Sequence, residues 1–364
     1  MRILLLSPRI SGVGGIAQHV RKLGSILAKQ GHEVEIIAVE TMGLRLPKGL
    51  ANPGYSIISA AHVVSRKYDI AHGHNLPAAI PLKFVRAETR ILTLHGVYSR
   101  QIRLLYGGLL GRAAAIAEKI LLAGIDAITA VSLDAVRYYR SLGYDVAYIP
   151  NAIDLSDMPS SSIRLIDPQI IYLGRLSKEK GVDLLVRAAA KGLRGLVIAG
   201  DGPLRPLIEK AARKNLLKYL GPLPRWKALR VLAGSDALVL PSREEGVSTS
   251  LLEAMALRIP IIATKVGGTT DILDGRSGIL INPDPAEIIK AVRRILENRD
   301  EARKLAERAH KKLLSAYTWD KVHKLYLHLY NKLLLEKSRL SKNSLILGTP
   351  GNPASPKEAI GGGF

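Results

Sequence analysis

Residues 237–256 read ALVLPSREEGVSTSLLEAMA. The first four are an uninterrupted apolar run, the pattern of a parallel strand buried on both faces. A polar loop follows, and from Ser250 the spacing turns helical. That order puts the loop at the carboxyl end of a strand, where open α/β sheets bind ligands. Gly246, Val247, Ser248, Thr249 and Ser250 form a loop whose backbone amides can approach a phosphate, and a helix N-terminus favours negative charge. Glu245 and Glu253 are acceptor-only groups, suited to the hydroxyls of a sugar and a ribose. A second reading of Glu253 stays open: Ser250-Leu251-Leu252-Glu253 is also a capping box, in which the glutamate bonds back to the N-cap amide.

The same pattern recurs on either side. Ile170 to Leu173 is a buried run followed directly by Gly174-Arg175-Leu176-Ser177-Lys178-Glu179-Lys180-Gly181. Arg175 offers a planar fork for phosphate oxygens and Lys180 a point charge. Further strands fall at 196–199 and 260–263, with helices at 182–190, 204–214, 226–233 and 250–257. An earlier series has strands at 3–7, 34–39, 70–72, 91–94, 127–131 and 147–149. There a glycine loop, Gly12, Gly14 and Gly15, opens a helix over 16–30. Residues 154–168, with Pro159, three serines and Pro168, break the pattern as a linker does. Two complete series, each roughly 150 residues long, predict two doubly wound Rossmann-like α/β domains. We place them at 1–155 and 156–317. A basic, amphipathic closing helix spans 318–337, and the tail 338–364, rich in Gly, Pro and Ser, has a disordered composition.

Of 364 residues, 47% are hydrophobic, which suffices for two cores, and none is cysteine. Disulfides, a thiolate nucleophile and Cys-ligated metals are therefore excluded. With no leader or membrane span legible, a cytoplasmic protein is expected. The net charge of +22 attracts anionic partners. Nucleic acid is a poor fit among them, because 2 Phe and 2 Trp leave little for bases to stack on. No Asp-x-Asp and no helical His/Asp/Glu spacing points to a bound metal. Neither a P-loop nor a complete dinucleotide fingerprint is present.

Several segments, in order, resemble the retaining GT-B glycosyltransferases of family 4. They are GGIAQHV (14–20), LTLHG (92–96), AVS (130–132), PNAID (150–154), GRLSKEKG (174–181), GDGP (200–203), the pair Glu245-x7-Glu253, and YTWDKV (317–322). The resemblance covers residues 1–335. It implies a GT-B fold, with the two domains facing a central cleft. It also implies transfer of a hexose-type sugar from a nucleotide-diphosphate sugar, UDP- or GDP-linked, to a glycan or lipid-linked acceptor. Arg175 and Lys180 would then hold the diphosphate, Glu253 the ribose and Glu245 the donor sugar, with Gly200 nearby. Gly14 and Gly15 would let the first domain approach the leaving phosphate, and His95 would lie beside the reacting sugar. The segment Val247-Ser248-Thr249-Ser250 departs from the family's usual aromatic-Gly or aromatic-Pro, which leaves the donor sugar open. A structural role also stays open for His95, and more so for His72 and His74. A nucleotide-sugar epimerase and a silent GT-B partner subunit are the competing functions.

Between residues 98 and 122, Arg100, Arg103, Arg112 and Lys119 are interleaved with Leu104, Leu105, Leu109, Leu110 and Ile116. Such a segment suits the interface of an anionic membrane. It equally suits an amphipathic helix packed on its own sheet.

Overall fold

The computed structural model describes residues 1–11, 15–44 and 51–347. The first domain is a six-stranded, all-parallel sheet of β1 (Arg2–Leu6), β2 (Glu33–Ile37), β3 (Lys67–His74), β4 (Arg86–Leu94), β5 (Ala127–Ala130) and β6 (Val146–Tyr148), in the order β2-β1-β3-β4-β5-β6. Its strands read as apolar runs because both faces are covered. Leu4, Leu6, Ala71 and Leu92 pack on one side. Ile3, Leu5, Ile70 and Ile91 pack on the other, against Val20, Leu23 and Leu27 of the helix Gly15–Lys29.

The second sheet contains β7 (Ile170–Leu173), β8 (Leu196–Ala199), β9 (Lys218–Tyr219), β10 (Ala237–Leu240), β11 (Ile261–Thr264) and β12 (Ile279–Ile281), ordered β12-β11-β10-β7-β8-β9. The predicted strands of this half fall within one residue of the observed ones. The two not predicted, β9 and β12, are short edge strands of two and three residues, too brief to carry a period. The chain leaves β7 toward β8 and returns on the other side as β10, so the order reverses between β7 and β10. A crevice opens at such a switch point. In the first sheet the reversal falls between β1 and β3. The two GT-B-type sheets place these reversals on the walls of one cleft.

The last helix, Trp319–Leu347, returns to the first domain. Trp319, Val322, Tyr326 and Tyr330 enter that domain's core. The crossing is pinned where Ile153 N donates to Tyr317 O (2.9 Å) and Trp319 N to Ile153 O (3.3 Å). The helix runs to Leu347, past residue 338 where the sequence reading began the tail. The rest of that tail, 348–364, lies outside the described residues, as does Gly14.

Candidate active site

The cleft has a volume of about 950 Å³ and takes its walls from both domains. On the second domain, the loops after β7 and β10 form its floor and are fixed to one another. Arg243 forks onto both carboxylate oxygens of Asp183 (2.7 and 2.7 Å) and donates to Lys178 O (2.8 Å). The Arg243 amide donates to Glu179 O (2.7 Å).

This brace brings Lys180 to Glu245. The ammonium donates to Oε1 at 2.6 Å and Oε2 at 2.7 Å, and Ser242 Oγ adds a third bond to Oε2 (3.1 Å). Glu245 is 8% exposed, so its charge is compensated locally as a buried carboxylate requires. Arg175 is different. It is exposed on the cleft wall, and its side chain has no hydrogen-bond or ion-pair partner among the described residues.

The helix Thr249–Ala256 has Ser248 at its N-cap, and no side chain among the described residues caps it. Its first-turn residues line the cleft, and amides left free at a helix start favour negative charge. The capping-box reading of Ser250 and Glu253 is overturned. Ser250 is inside the helix, and its hydroxyl donates to Leu173 O (2.9 Å). The Glu253 carboxylate is held instead by Arg225. Burial pushes the Glu253 carboxyl up from its usual range, opposed by the guanidinium beside it.

Arg225 was not legible as a site residue. It sits at the start of the helix Arg225–Ala233, and nothing in its local sequence points 28 residues ahead to Glu253. Besides Glu253 it reaches Gln18 Oε1 (2.7 Å) on the first domain and Asp157 Oδ2 (3.5 Å) at the linker. One guanidinium thus ties the proposed ribose carboxylate to the opposite wall. Asn151, also unforeseen, donates across the cleft to Val247 O (3.4 Å).

The first domain contributes Gly15 and His95, both lining the cleft with Gly200, Gly246, Val247, Ser248, Thr249 and Ser250. A Cβ on Gly15 would stand 2.7 Å from Thr249 Cγ2, and one on Gly246 would stand 2.0 Å from His95 O. Glycine at both positions is what lets the two walls touch.

His95 is not isolated. Its Nε2 lies 3.3 Å from His74 Nδ1. Behind it, His72 spans Tyr330 OH and Thr93 Oγ1 at 2.7 Å each, and His19 Nε2 meets Tyr326 OH at 3.1 Å. Burial pushes His72 and His95 down to about 3, and His19 and His74 well below the usual imidazole range. His72 and His74 thus have the buried positions that a structural reading expects. Among the described residues no three His, Asp or Glu side chains are grouped so as to hold a metal ion.

A cleft of this kind between two such sheets defines a GT-B protein. Residues 167–298 match the family model described as glycosyl transferases group 1, and residues 13–157 that of glycosyltransferase family 4. The chain belongs to this family and is a glycosyltransferase. Glycogen synthase of Mycobacterium tuberculosis is 26% identical over 382 residues, covering 88% of this chain and 92% of that one. Sucrose-phosphate synthase from Thermosynechococcus elongatus shares the fold at a TM-score of 0.79 and 18% identity, over 92% of this chain and all of that one. HepE from Anabaena, in complex with UDP and glucose, does so at 0.71 and 16%, over 91% and 100%.

Proposed function

We propose that the protein is a retaining, metal-independent hexosyltransferase that uses a UDP- or GDP-linked sugar and a glycan or lipid-linked acceptor. One observation carries this reading. Arg175 and a helix N-terminus, neither with a side-chain partner among the described residues, converge with the Lys180–Glu245 pair at the switch point of the second sheet, facing His95 and Gly15. Two cationic side chains and a ring of amides are what a diphosphate needs. The UDP and glucose bound to HepE support a nucleotide sugar as the donor.

In this mechanism the glycosidic bond to the diphosphate breaks as the acceptor oxygen approaches the same face of the sugar. The departing phosphate oxygen takes the acceptor's proton. Negative charge grows on the diphosphate, and Arg175, Lys180 and the helix amides stabilise it where it develops. Glu253 holds the ribose, displacing part of its bond to Arg225. Glu245, its charge offset by Lys180, accepts from donor-sugar hydroxyls. Contact of the two walls keeps out the water that would hydrolyse the donor.

The acceptor side is proposed to work at an anionic membrane surface. The helix Gly108–Leu122 packs inward through Gly111, Ala114, Glu118 and Leu122. Its outer face leaves Leu109 82%, Ile116 62% and Ile120 63% exposed. Arg103, Arg112 and Lys119 are exposed with them. Arg100 does not belong to this surface: it pairs with Asp134 (2.7 Å) and lies over the Tyr138 ring. No helix among the described residues is long and apolar enough to cross a membrane.

The test is a thermal-shift screen with UDP, GDP, ADP and their sugars, followed by donor turnover with and without acceptors in EDTA. Stabilisation by one nucleotide diphosphate and acceptor-dependent release of it are expected. Release of an altered free sugar without acceptor would make the protein an epimerase. Activity abolished by EDTA and restored by magnesium would refute the metal-free site.

A further inference from the structure

The imidazoles behind the cleft have a hydrogen-bond pattern that constrains His95. A neutral imidazole has one N–H and one lone pair, so in a bonded pair one ring donates and the other accepts. His74 is fully buried, and its Nε2 has no partner among the described residues. Were His95 Nε2–H to donate to His74 Nδ1, the His74 proton would sit on that orphaned Nε2, leaving a buried N–H unbonded. A buried donor without an acceptor is the rarer and costlier arrangement, whereas an idle lone pair is tolerated.

We infer that His74 donates from Nδ1 to His95 Nε2 and is thereby the positioning residue that fixes His95 as an Nδ1–H donor facing the cleft. The other ring nitrogen of His95 agrees with this. His95 Nδ1 has no protein partner among the described residues and is not sealed from the cleft. Two further features hold the pair's frame: His95 N donates to Asn75 Oδ1 (3.2 Å), and β3 pairs with β4 in a register that sets His74 beside Thr93. Burial keeps both rings uncharged at neutral pH.

The consequence rests on the retaining mechanism proposed above. With its Nε2 lone pair engaged by His74, His95 has no acceptor to offer the acceptor's hydroxyl proton. It gives a hydrogen bond to an oxygen of the donor sugar, and proton transfer stays with the leaving phosphate. His74 acts only through His95 and touches no substrate.

The experiment measures histidine ring nitrogen shifts by NMR on the full chain labelled at histidine, with His95→Gln to assign the His95 signals. Wild-type His95 is expected in the Nδ1–H form. His74→Leu should shift it toward the Nε2–H form, and His74→Asn, whose amide N–H stands in place of Nδ1–H, should restore it. In turnover assays His74→Leu should lower kcat roughly 10-fold, the scale of one hydrogen bond, with the donor KM little changed, and His74→Asn should recover most of the loss. A wild-type His95 protonated on Nε2 overturns the inference without any variant having to fold. So does a His95 signal unmoved by His74→Leu. A tautomer that switches while kcat stays constant upholds the positioning by His74 and removes the sugar contact assigned to His95. The tautomer can therefore be judged apart from the reaction.

Discussion

Two cations serve the proposed diphosphate site, and their surroundings differ. Among the described residues no group engages the Arg175 guanidinium, so its donor set is available to a ligand. Lys180 already compensates Glu245 and must share its charge. Arg175→Ala is therefore the cleaner deletion. We expect kcat/KM to fall roughly 100-fold or more, the scale for losing a transition-state donor, with melting temperature unchanged. Lys180→Ala should lose as much activity and also stability, because it strands a carboxylate that is 8% exposed. Steady-state kinetics alongside thermal melts separates the two, and unaltered turnover in a folded Arg175→Ala protein removes that residue from the site. Glu253 makes the second prediction at this scale. Since its carboxylate engages Arg225 and caps nothing, Glu253→Gln should leave melting within a few degrees. Arg225 keeps Gln18 and Asp157 as partners. Nucleotide affinity should drop about 10-fold, the value of one charged hydrogen bond. Calorimetric titration with UDP and GDP decides the matter; an unaltered Kd eliminates Glu253 as a ribose ligand.

At the scale of elements, the helix Trp319–Leu347 does more than close the chain. Tyr326 and Tyr330 on it hold His19 and His72, in a cluster with His74 and His95 whose ring centroids lie 4.3 to 5.6 Å apart. All four imidazoles have folded values below the ordinary 6.5, so below 6.5 the unfolded chain binds more protons. Stability is full above that pH and is lost as pH falls below it, by up to about 1.4 kcal/mol per unit for each histidine. Denaturant titrations between about pH 7 and 5 should show this slope before the carboxylates titrate, and His72→Asn should make it shallower by one histidine's share. A stability independent of pH over that range contradicts the neutral cluster. The helix Gly108–Leu122 makes its own prediction. Each exposed apolar side chain it inserts is worth about 1.5 to 3 kcal/mol, and each nearby Lys or Arg about 1. Co-sedimentation with anionic vesicles should be strong at low salt and weak with neutral ones. Arg103→Ser/Arg112→Ser/Lys119→Ser should abolish it and leave nucleotide affinity alone. Protein remaining in the supernatant with anionic vesicles would redirect the search to a soluble acceptor. Strands β7, β8, β10 and β11 were legible because burial on both faces writes itself as unbroken apolar runs. The loops after β7 and β10, which line the cleft, were legible because they follow such runs. Arg225 and Gln18 were not, because their meeting is fixed by how two domains dock, and no local period records that. The end of the last helix was misplaced for a related reason: composition marked the tail from Ser338 as structureless, yet the helix continues through it to Leu347.

At the scale of the whole molecule, catalysis is proposed to depend on two walls that bind different things and meet. The meeting is tight at one point. Gly246 has no left-handed backbone angle, so its own conformation would accept alanine. What forbids a side chain is the opposite domain: the nearest atoms to an added Cβ are His95 O at 2.0 Å, His95 C at 3.0 Å and Gly96 Cα at 3.5 Å. All three belong to backbone, which cannot swing aside as a flexible side chain would. Gly246→Ala should therefore leave the second domain folded and force the walls apart by an ångström or so, the scale on which misplacement alone costs about 100-fold in rate. Because Arg175, Lys180 and Glu253 sit together on the second domain, nucleotide binding should persist at close to its original affinity. In the proposed reaction His95, on the far wall, would no longer reach the sugar, nor the Gly15 loop the leaving phosphate. The expected signature is a kcat reduced about 100-fold with nucleotide Kd held nearly constant. A raised ratio of donor hydrolysis to transfer should accompany it, since a parted cleft admits water. Stopped-flow binding with UDP and product analysis of a single turnover would read both. If Gly246→Ala weakens nucleotide binding and turnover equally, the two walls act as one rigid site and their closure is not a separate requirement of the reaction.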